Sequence, residues 1–379
     1  MRIGVLARGL SVRVGGVTTF LENVLPLLPR LDPADRYVIF HNSARHRGAF
    51  PGAEERRLRG PGTLWQENIA LSLALRRRPV DVLLCAKNFV PALLPRGVKT
   101  AVIVYDLLYY PVRGASIDEY KPLDVLAFRA LFPGGVRRAD RVIAISESTR
   151  RDLLDLFPLD PERVRAVPLG VSPPAPALLA DDALRGVRSR YALDRPYFFY
   201  CGSLSPRKNA VRALEAFARI RDRVPHDFVV TAGKSWKDRA VFRTVARLGL
   251  RNRFRRLGAV PAADLPALYR AADAFMYVSL YEGFGLPILE AMACGCPVLT
   301  SRASAMPEAA GDAALLVDPA DVGAIAGGLE RILKDRTLAD DLRVRGARRA
   351  AQCTWEATAR RIIAVLNELR PEGSPPLPP

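Results

Sequence analysis

Cysteine, histidine and lysine are scarce in this chain: five, three and seven among 379 residues. The cysteines, at 85, 201, 294, 296 and 353, form no paired framework, which excludes a disulfide-stapled secreted domain. Cys85 and Cys201 lie in apolar runs and read as buried thiols. Cys294-Gly-Cys296 has no second Cys/His pair nearby, so packing is preferred to a metal site. The histidines, His41, His46 and His226, stand in no motif. No apolar stretch approaches the length that crosses a bilayer. The opening Met1–Ala7 is too short for a signal peptide and reads as a first β-strand. A cytoplasmic protein is therefore expected, at most peripheral at the inner face of the membrane. Neither half opens with a strand followed by G-x-G-x-x-G, which sets dinucleotide hydride transfer aside.

Positive charge, by contrast, is abundant. Fifty arginines and seven lysines stand against 39 acidic residues, leaving a net charge of +18. Such a chain favours phosphorylated small molecules, polyanions or an anionic lipid surface. The arginines are scattered in pairs such as Arg56-Arg57, Arg137-Arg138, Arg255-Arg256 and Arg348-Arg349. No helix-turn-helix, zinc-finger or RNP-type signature accompanies them, so nucleic acid is not expected as a partner. One short stretch, 64–75, sets Trp65, Ile69 and Leu73 before Arg76-Arg77-Arg78 and would suit an anionic membrane, although core packing is the preferred reading.

The length allows two domains, each with its own core, and 49% apolar residues mark a globular chain. Apolar strand-like runs alternate with helix-like stretches in both halves, the α/β pattern of a parallel sheet. In the first half they are Ile3–Ala7, Tyr37–Phe40, Val80–Cys85, Thr100–Tyr105, Arg141–Ile145 and Val164–Val167. In the second they are Tyr197–Cys201, Phe228–Ala232, Phe254–Leu257, Ala274–Val278, Pro297–Thr300 and Ala314–Val317. Between the halves, Val171-Ser-Pro-Pro-Ala-Pro-Ala177 is the best linker candidate, and the tail 371–379, with five prolines, reads as disordered.

Two segments carry chemistry. Glu282-Gly-Phe-Gly-Leu-Pro-Ile-Leu-Glu290 sets two carboxylates eight positions apart around a Gly283-Phe284-Gly285 loop, with Pro287 suited to a helix start. A strand before it and a short helix after it would aim backbone N–H groups and a helix dipole at an anion. Tyr200-Cys201-Gly202 through Arg207-Lys208-Asn209 follows the first strand of the second half. It would deliver a bidentate fork and a point charge to the C-terminal edge of a sheet, where open α/β sheets bind ligands. Near the N-terminus, Gly15-Gly16 precedes an amphipathic helix and would allow close backbone approach to a phosphate.

Ser279 through Gly295 resembles the Glu-x7-Glu signature of retaining glycosyltransferase family 4, and G-x-L-x-x-R-K-N at 202–209 resembles the same family. Further matches, Trp65-Gln66-Glu67, Tyr105-Asp106-Leu107, Ala139–Ser148, Pro168–Val171 and Pro307–Ala313, extend the resemblance from residue 1 to about 370. It implies a GT-B fold: two Rossmann-like domains facing a central cleft, the acceptor on 1–172, a linker at 173–195 and the donor on 196–355. A helix at 356–370 would cross back to the first domain. The donor would be a nucleotide diphosphate sugar and the acceptor a glycan or lipid-linked sugar, with no cofactor. The resemblance makes Arg207, Lys208 and Glu282 catalytic. It places Gly15, Gly16, Tyr105, Gly258, Val260, Gly283, Phe284, Gly285, Leu286 and Glu290 around the donor, and Asp106 at the acceptor. No Asp-x-Asp is present, so side chains rather than a metal would neutralise the diphosphate. The form Tyr-Glu-Gly-Phe-Gly-Leu-Pro is similar to mannosyltransferases, which favours GDP-mannose over UDP- or ADP-sugars. Tyr105 stands where the family usually has histidine, Val278 where proline is common, and Cys296 where threonine is common. Two alternatives remain: an inactive sugar-nucleotide binder, and a sugar-nucleotide epimerase, which the three unplaced histidines disfavour.

Overall fold

Strands buried on both faces read as unbroken apolar runs, and all twelve of the expected runs are strands in the computed structural model. The structure describes residues 1–8, 10, 15–112, 120–232 and 238–371. Among these, β1 (Arg2–Leu6), β2 (Arg36–His41), β3 (Glu54–Arg57), β4 (Val82–Cys85), β5 (Lys99–Val104), β6 (Arg141–Ala144) and β7 (Val164–Ala166) form one sheet. Its order is β3-β2-β1-β4-β5-β6-β7. A second sheet holds β8 (Tyr197–Cys201), β9 (Asp227–Thr231), β10 (Phe254–Gly258), β11 (Ala274–Tyr277), β12 (Val298–Ser301) and β13 (Leu315–Val317), in the order β10-β9-β8-β11-β12-β13. Every pairing is parallel. Each sheet reverses its direction of growth once, between β1 and β4 and between β8 and β11. Such switch points leave a crevice beyond the carboxyl ends of the two strands.

The missed strand is β3, Glu-Glu-Arg-Arg at the sheet's edge, which carries no apolar residue to betray it. Solvated charges on an edge strand also deter pairing with another chain.

The chain divides into two units: residues 1–109, 122–169 and from 355 onward form the first, and 110–121 with 170–354 the second. Segment 173–195, expected as linker, instead belongs to the second unit. It makes a short 3₁₀ turn at Pro176–Leu179 and a helix at Asp181–Arg190. Proline at the first turn loses no helical hydrogen bond, and Pro176 accordingly opens the 3₁₀ turn. Tyr191 Oη donates to Asp264 at 2.6 Å, and Arg190 pairs with the same carboxylate.

In the second unit, helix Ala210–Ile220 buries Ala213, Leu214, Phe217 and Ile220 at helical spacing against the sheet. Phe198 meets Phe217 at 5.1 Å and Phe228 at 4.8 Å, ring centre to ring centre. Truncating Phe217 to alanine would cost about 3–5 kcal/mol. In the first unit, the late helix Trp355–Asn367 buries Trp355, Ala359, Ile362 and Leu366. Trp355 meets Phe20 edge-on at 6.2 Å, and Thr358 donates to the Pro168 carbonyl at 2.9 Å. Glu368 then takes Arg141 at 2.7 Å and Arg165 at 3.2 Å, and Arg370 reaches Asp35 at 2.8 Å.

Segment 64–75 meets the core-packing expectation in part, for Leu71 and Leu75 are buried and Ile69 is half-buried. Helix Gly62–Trp65, a π-helical turn Gln66–Ala70 and helix Leu71–Arg77 leave Leu64 56%, Trp65 40% and Leu73 51% exposed. Among the described residues, no helix is long and apolar enough to cross a membrane.

Candidate active site

β8 and β11 flank the second unit's switch point, and the turns beyond them hold its most tightly knit charges. Past β8 the chain passes Gly202 at φ +128°, a conformation that favours glycine. A 3₁₀ turn, Pro206–Lys208, then presents Arg207 and Lys208. Asn209 closes it in the left-handed region at φ +63°, which asparagine tolerates better than most residues. Its buried amide donates to the Val278 carbonyl at 2.9 Å and the Pro319 carbonyl at 2.7 Å, so the Arg-Lys turn is tied to the end of β11.

Seventy-four residues further on, Glu282 meets both cations. Its Oε1 lies 2.7 Å from Lys208 Nζ and 2.8 Å from Arg207 Nη1. Arg207 Nη1 also donates to the Tyr281 carbonyl at 2.7 Å, and Lys208 Nζ to Tyr277 Oη at 2.6 Å. The three charged side chains are only 11–13% exposed. Ser304 Oγ donates to the Glu282 carbonyl at 2.6 Å and accepts from the Glu282 N–H at 3.3 Å, which fixes the backbone that carries the carboxylate. Burial works against ionisation of Glu282, but the Lys208 and Arg207 charges overcome it and hold the carboxyl down at about 2. Burial pulls the Lys208 ammonium below its ordinary value, against the opposing attraction of Glu282. Lysine has three N–H donors, and the two contacts named leave one to aim at a ligand.

After Glu282 the loop turns through Gly285 at φ +109° into helix Leu286–Ala293, with Pro287 at its second position rather than its first. Phe284 is buried. Glu290 lies on this helix and accepts from Tyr269 Oη at 3.3 Å; burial raises its carboxyl above the usual range, with the Tyr269 bond opposing. The structure thus gathers Arg207, Lys208 and Glu282 directly, with Gly283 to Leu286 and Glu290 following on the same loop and helix. Gly258 ends β10, two strands from β8 at the same sheet edge, with its carbonyl accepting from Thr231 at 3.0 Å; Val260 lies just beyond. Asn209, Ser304 and Tyr277 were missed. Only the asparagine in Arg-Lys-Asn carried a signal, as a residue suited to a left-handed turn.

The remaining candidates lie in the first unit. Gly15, at φ +148°, precedes helix Gly16–Val24, and both glycines are exposed. Asp106 lies just past β5, where its carboxylate accepts from the Leu108 N–H at 3.3 Å. Tyr105 is 6% exposed, donates its hydroxyl to the Ala86 carbonyl at 3.1 Å, and meets Phe20 edge-on at 5.5 Å. Its phenol is thus engaged inside the first unit, and burial raises it well above its ordinary value. The three histidines each meet a carboxylate: His41 Glu55, His46 Glu22, His226 Asp273. Cys294 and Cys296 are buried, and no group of three His, Cys, Asp or Glu among the described residues could hold a metal ion.

Comparison with known proteins identifies the family and the fold. The family model described as Glycosyltransferase Family 4 matches residues 14–173, and that described as Glycosyl transferases group 1 matches 188–349. Sucrose-phosphate synthase from Thermosynechococcus elongatus superposes with a TM-score of 0.75 at 21% identity, covering 97% of this chain and 99% of that one. Anabaena HepE, solved with UDP and glucose, gives 0.74 at 17% identity, covering 97% and 100%. Two parallel Rossmann-like units in this order make a GT-B fold. Among relatives, O-antigen chain mannosyltransferase B of Escherichia coli is 32% identical over 270 residues, 69% of each chain. The D-inositol 3-phosphate glycosyltransferase of Salinispora tropica is 34% identical over 250 residues, 62% of this chain and 52% of that protein. The MMP alpha-(1->4)-mannosyltransferase of Mycolicibacterium hassiacum is 32% identical over 237 residues, 61% and 55%. This chain spans about half the length of those last two relatives. The chain belongs to glycosyltransferase family 4 and is a glycosyltransferase.

Proposed function

We propose that this protein transfers a hexosyl group, mannose from GDP-mannose, with retention of anomeric configuration and without a metal ion, to a glycan or lipid-linked acceptor. The observation that carries the reading is the buried Arg207–Lys208–Glu282 triad at the second switch point. Two cations to one carboxylate leave it one positive charge in excess, a charge suited to a diphosphate. Lys208 and Arg207 then stabilise the charge that develops on the leaving diphosphate, and the loop Gly283–Leu286 adds backbone N–H groups. Glu282, kept ionised, and the neighbouring amides accept and donate to sugar hydroxyls, and Glu290 takes the ribose hydroxyls. The base is read by the backbone at Gly258 and Val260, and Gly15 and Gly16 approach the phosphate. Front-face attack by the acceptor hydroxyl, with the leaving phosphate as its base, forms the new glycosidic bond as the old one breaks. Mannose is favoured because two of the relatives named above are mannosyltransferases.

A thermal-shift panel of GDP, UDP, ADP and dTDP tests the donor. At one hundred times its Kd the fitting nucleotide adds about 2.7 kcal/mol of stability. A shift with GDP alone supports the reading; a shift with UDP alone moves it to a UDP-hexose, and none with any of the four refutes it.

The exposed Leu64, Trp65 and Leu73, beside Arg76, Arg77 and Arg78, form a surface for an anionic membrane, extended by Leu93, 52% exposed, whose carbonyl accepts from Ser72. Co-sedimentation with phosphatidylglycerol vesicles but not with phosphatidylcholine vesicles is the expected outcome.

A further inference from the structure

The first unit has a switch point of its own, between β1 and β4, and its charges follow a different sum. Arg8, Lys87 and Asp106 each lie two residues beyond the end of a strand: β1, β4 and β5, which are neighbours in the sheet. They therefore line up along one carboxyl edge. Beneath them lies Glu67, 3% exposed, carried by the π-helical turn Gln66–Ala70. Such turns are rare and recur at functional sites. This one is pinned from outside: Gln66 donates to the Gly60 carbonyl at 2.8 Å and accepts from Asn42 at 2.9 Å.

Glu67 meets Arg8 as an ion pair, Oε2 to Nη1 at 3.1 Å, yet that buried oxygen receives no directed hydrogen bond. A buried oxygen left in this state costs stability unless it serves a purpose. Beside it is a cavity of about 20 Å³ lined by Arg8, Asn42, Gln66 and Glu67, enough for one water. The Arg8 guanidinium stands 5.1 Å over the Phe89 ring, which supplies an apolar face beside the charges. Lys87 is attracted by Asp106 and Glu67 and repelled by Arg8.

The edge thus holds two cations and two carboxylates, in contrast to the second unit's two cations and one. A balanced array next to an aromatic face suits neutral vicinal hydroxyls, each donating to a carboxylate and accepting from a cation. We propose that Arg8, Lys87 and Asp106 contact a neutral sugar ring of the acceptor, and that Glu67 is the positioning residue that fixes Arg8 among them. The proposal rests on the donor occupying the second unit.

Protonation gives a readout that mere packing would not. Burial raises the Glu67 carboxyl to about 7, with Arg8 and Lys87 opposing. Cys85, buried beneath, is raised in turn, and His41 with its partner Glu55 stands on the far side of the cavity. Ionised Glu67 holds Arg8; protonated Glu67 releases it. Affinity for the sugar should therefore rise as the pH passes upward through about 7.

The test uses the full chain with methyl α-D-mannopyranoside, titrated by NMR at pH 6 and pH 8, and GDP by thermal shift. Wild type should bind the glycoside about fivefold to tenfold more tightly at pH 8. Glu67→Gln should bind with its weak affinity unchanged between the two, and Arg8→Gln should lose tenfold at pH 8. GDP shifts should stay intact in both. Lys208→Ala should lose the GDP shift and keep the glycoside, so failure of the donor reading shows separately. Arg8 is one-third exposed, so its variant remains informative if Glu67→Gln fails to fold. The proposal is overturned if wild type does not bind the glycoside, if Glu67→Gln follows its pH profile, or if mannose 6-phosphate binds more tightly than the neutral ring.

Discussion

Replacing Glu282 by glutamine removes one charge and almost no volume, from a place where two cations depend on it. Arg207 and Lys208 are 13% and 12% exposed and share the same oxygen, so the variant leaves two buried positive charges facing a neutral amide. Removing one partner of a buried ion pair costs about 3–5 kcal/mol. The carboxyl itself gives a similar figure. Its fall from 4.5 to about 2 corresponds to roughly 3 kcal/mol of preference for the ionised form, at about 1.4 kcal/mol per unit. For a unit of this size a loss of about 3 kcal/mol should lower Tm by roughly 6–12 °C. Because the folded carboxyl lies below its unfolded value, this contribution is complete above pH 4.5 and fades as the pH falls towards 2. Differential scanning calorimetry should therefore show a gap between wild type and Glu282→Gln that is constant from pH 8 to 6 and narrows below about pH 4.5. GDP should raise the variant's Tm at least as much as the wild type's, since the diphosphate supplies the missing negative charge. Turnover should still fall, because the sugar hydroxyls now meet a neutral amide in place of a charged hydrogen-bond acceptor. A variant that melts within 1 °C of wild type, or a gap unchanged down to pH 3.5, would refute the argument that the triad is one electrostatic unit.

Lys208→Ala and Arg207→Ala should each lower kcat/KM by roughly 10²-fold or more, as expected for donors aimed at a leaving group; wild-type turnover in either would return the pair to a surface role. NMR of the first-formed linkage should show the donor's anomeric configuration, and an inverted product would contradict the proposed front-face attack. Activity should persist in EDTA, and complete loss restored by Mg²⁺ or Mn²⁺ would end the metal-free mechanism. Tyr105→Phe removes the bond to the Ala86 carbonyl and should cost about 1 kcal/mol of stability with kcat within a few-fold of wild type; a hundredfold loss of kcat with unchanged Tm would place the phenol on the substrate.

The strands were legible because a parallel sheet demands apolar side chains on both faces, and runs such as Tyr197–Cys201 offer no other reading. β3 was hidden for the converse reason, since four charged residues at an edge need only backbone partners. The Pro-rich 173–195 read as linker because composition reports what proline forbids inside a helix, whereas here it begins one. Glu282, Arg207 and Lys208 were each visible as residue types suited to a diphosphate sugar. Their shared oxygen was not, because 74 residues and a sheet crossover separate the lysine from the glutamate. Asn209 and Ser304 act through side-chain bonds to backbone 69 to 110 and 22 residues away in the chain, pairings that sequence does not display. Trp65-Gln66-Glu67 stood out only as a family match, since nothing in Trp-Gln-Glu announces a π-turn or a buried carboxylate.

The first unit is discontinuous, and this orders events during synthesis. Its β-sheet is complete once Ala166 has left the ribosome, but Trp355, which covers Phe20, and Glu368, which secures Arg141 and Arg165, come last. At 5–20 residues per second the intervening segment 170–354 takes on the order of ten to forty seconds. Through that interval the nascent first half carries an uncovered apolar strip and lacks the carboxylate that joins Arg141 to Arg165, whereas the second unit can close as soon as it emerges. The earlier-made half of the enzyme is therefore the last to mature, and ribosome-associated chaperones should engage arrested chains ending near residue 354 more strongly than chains released at full length.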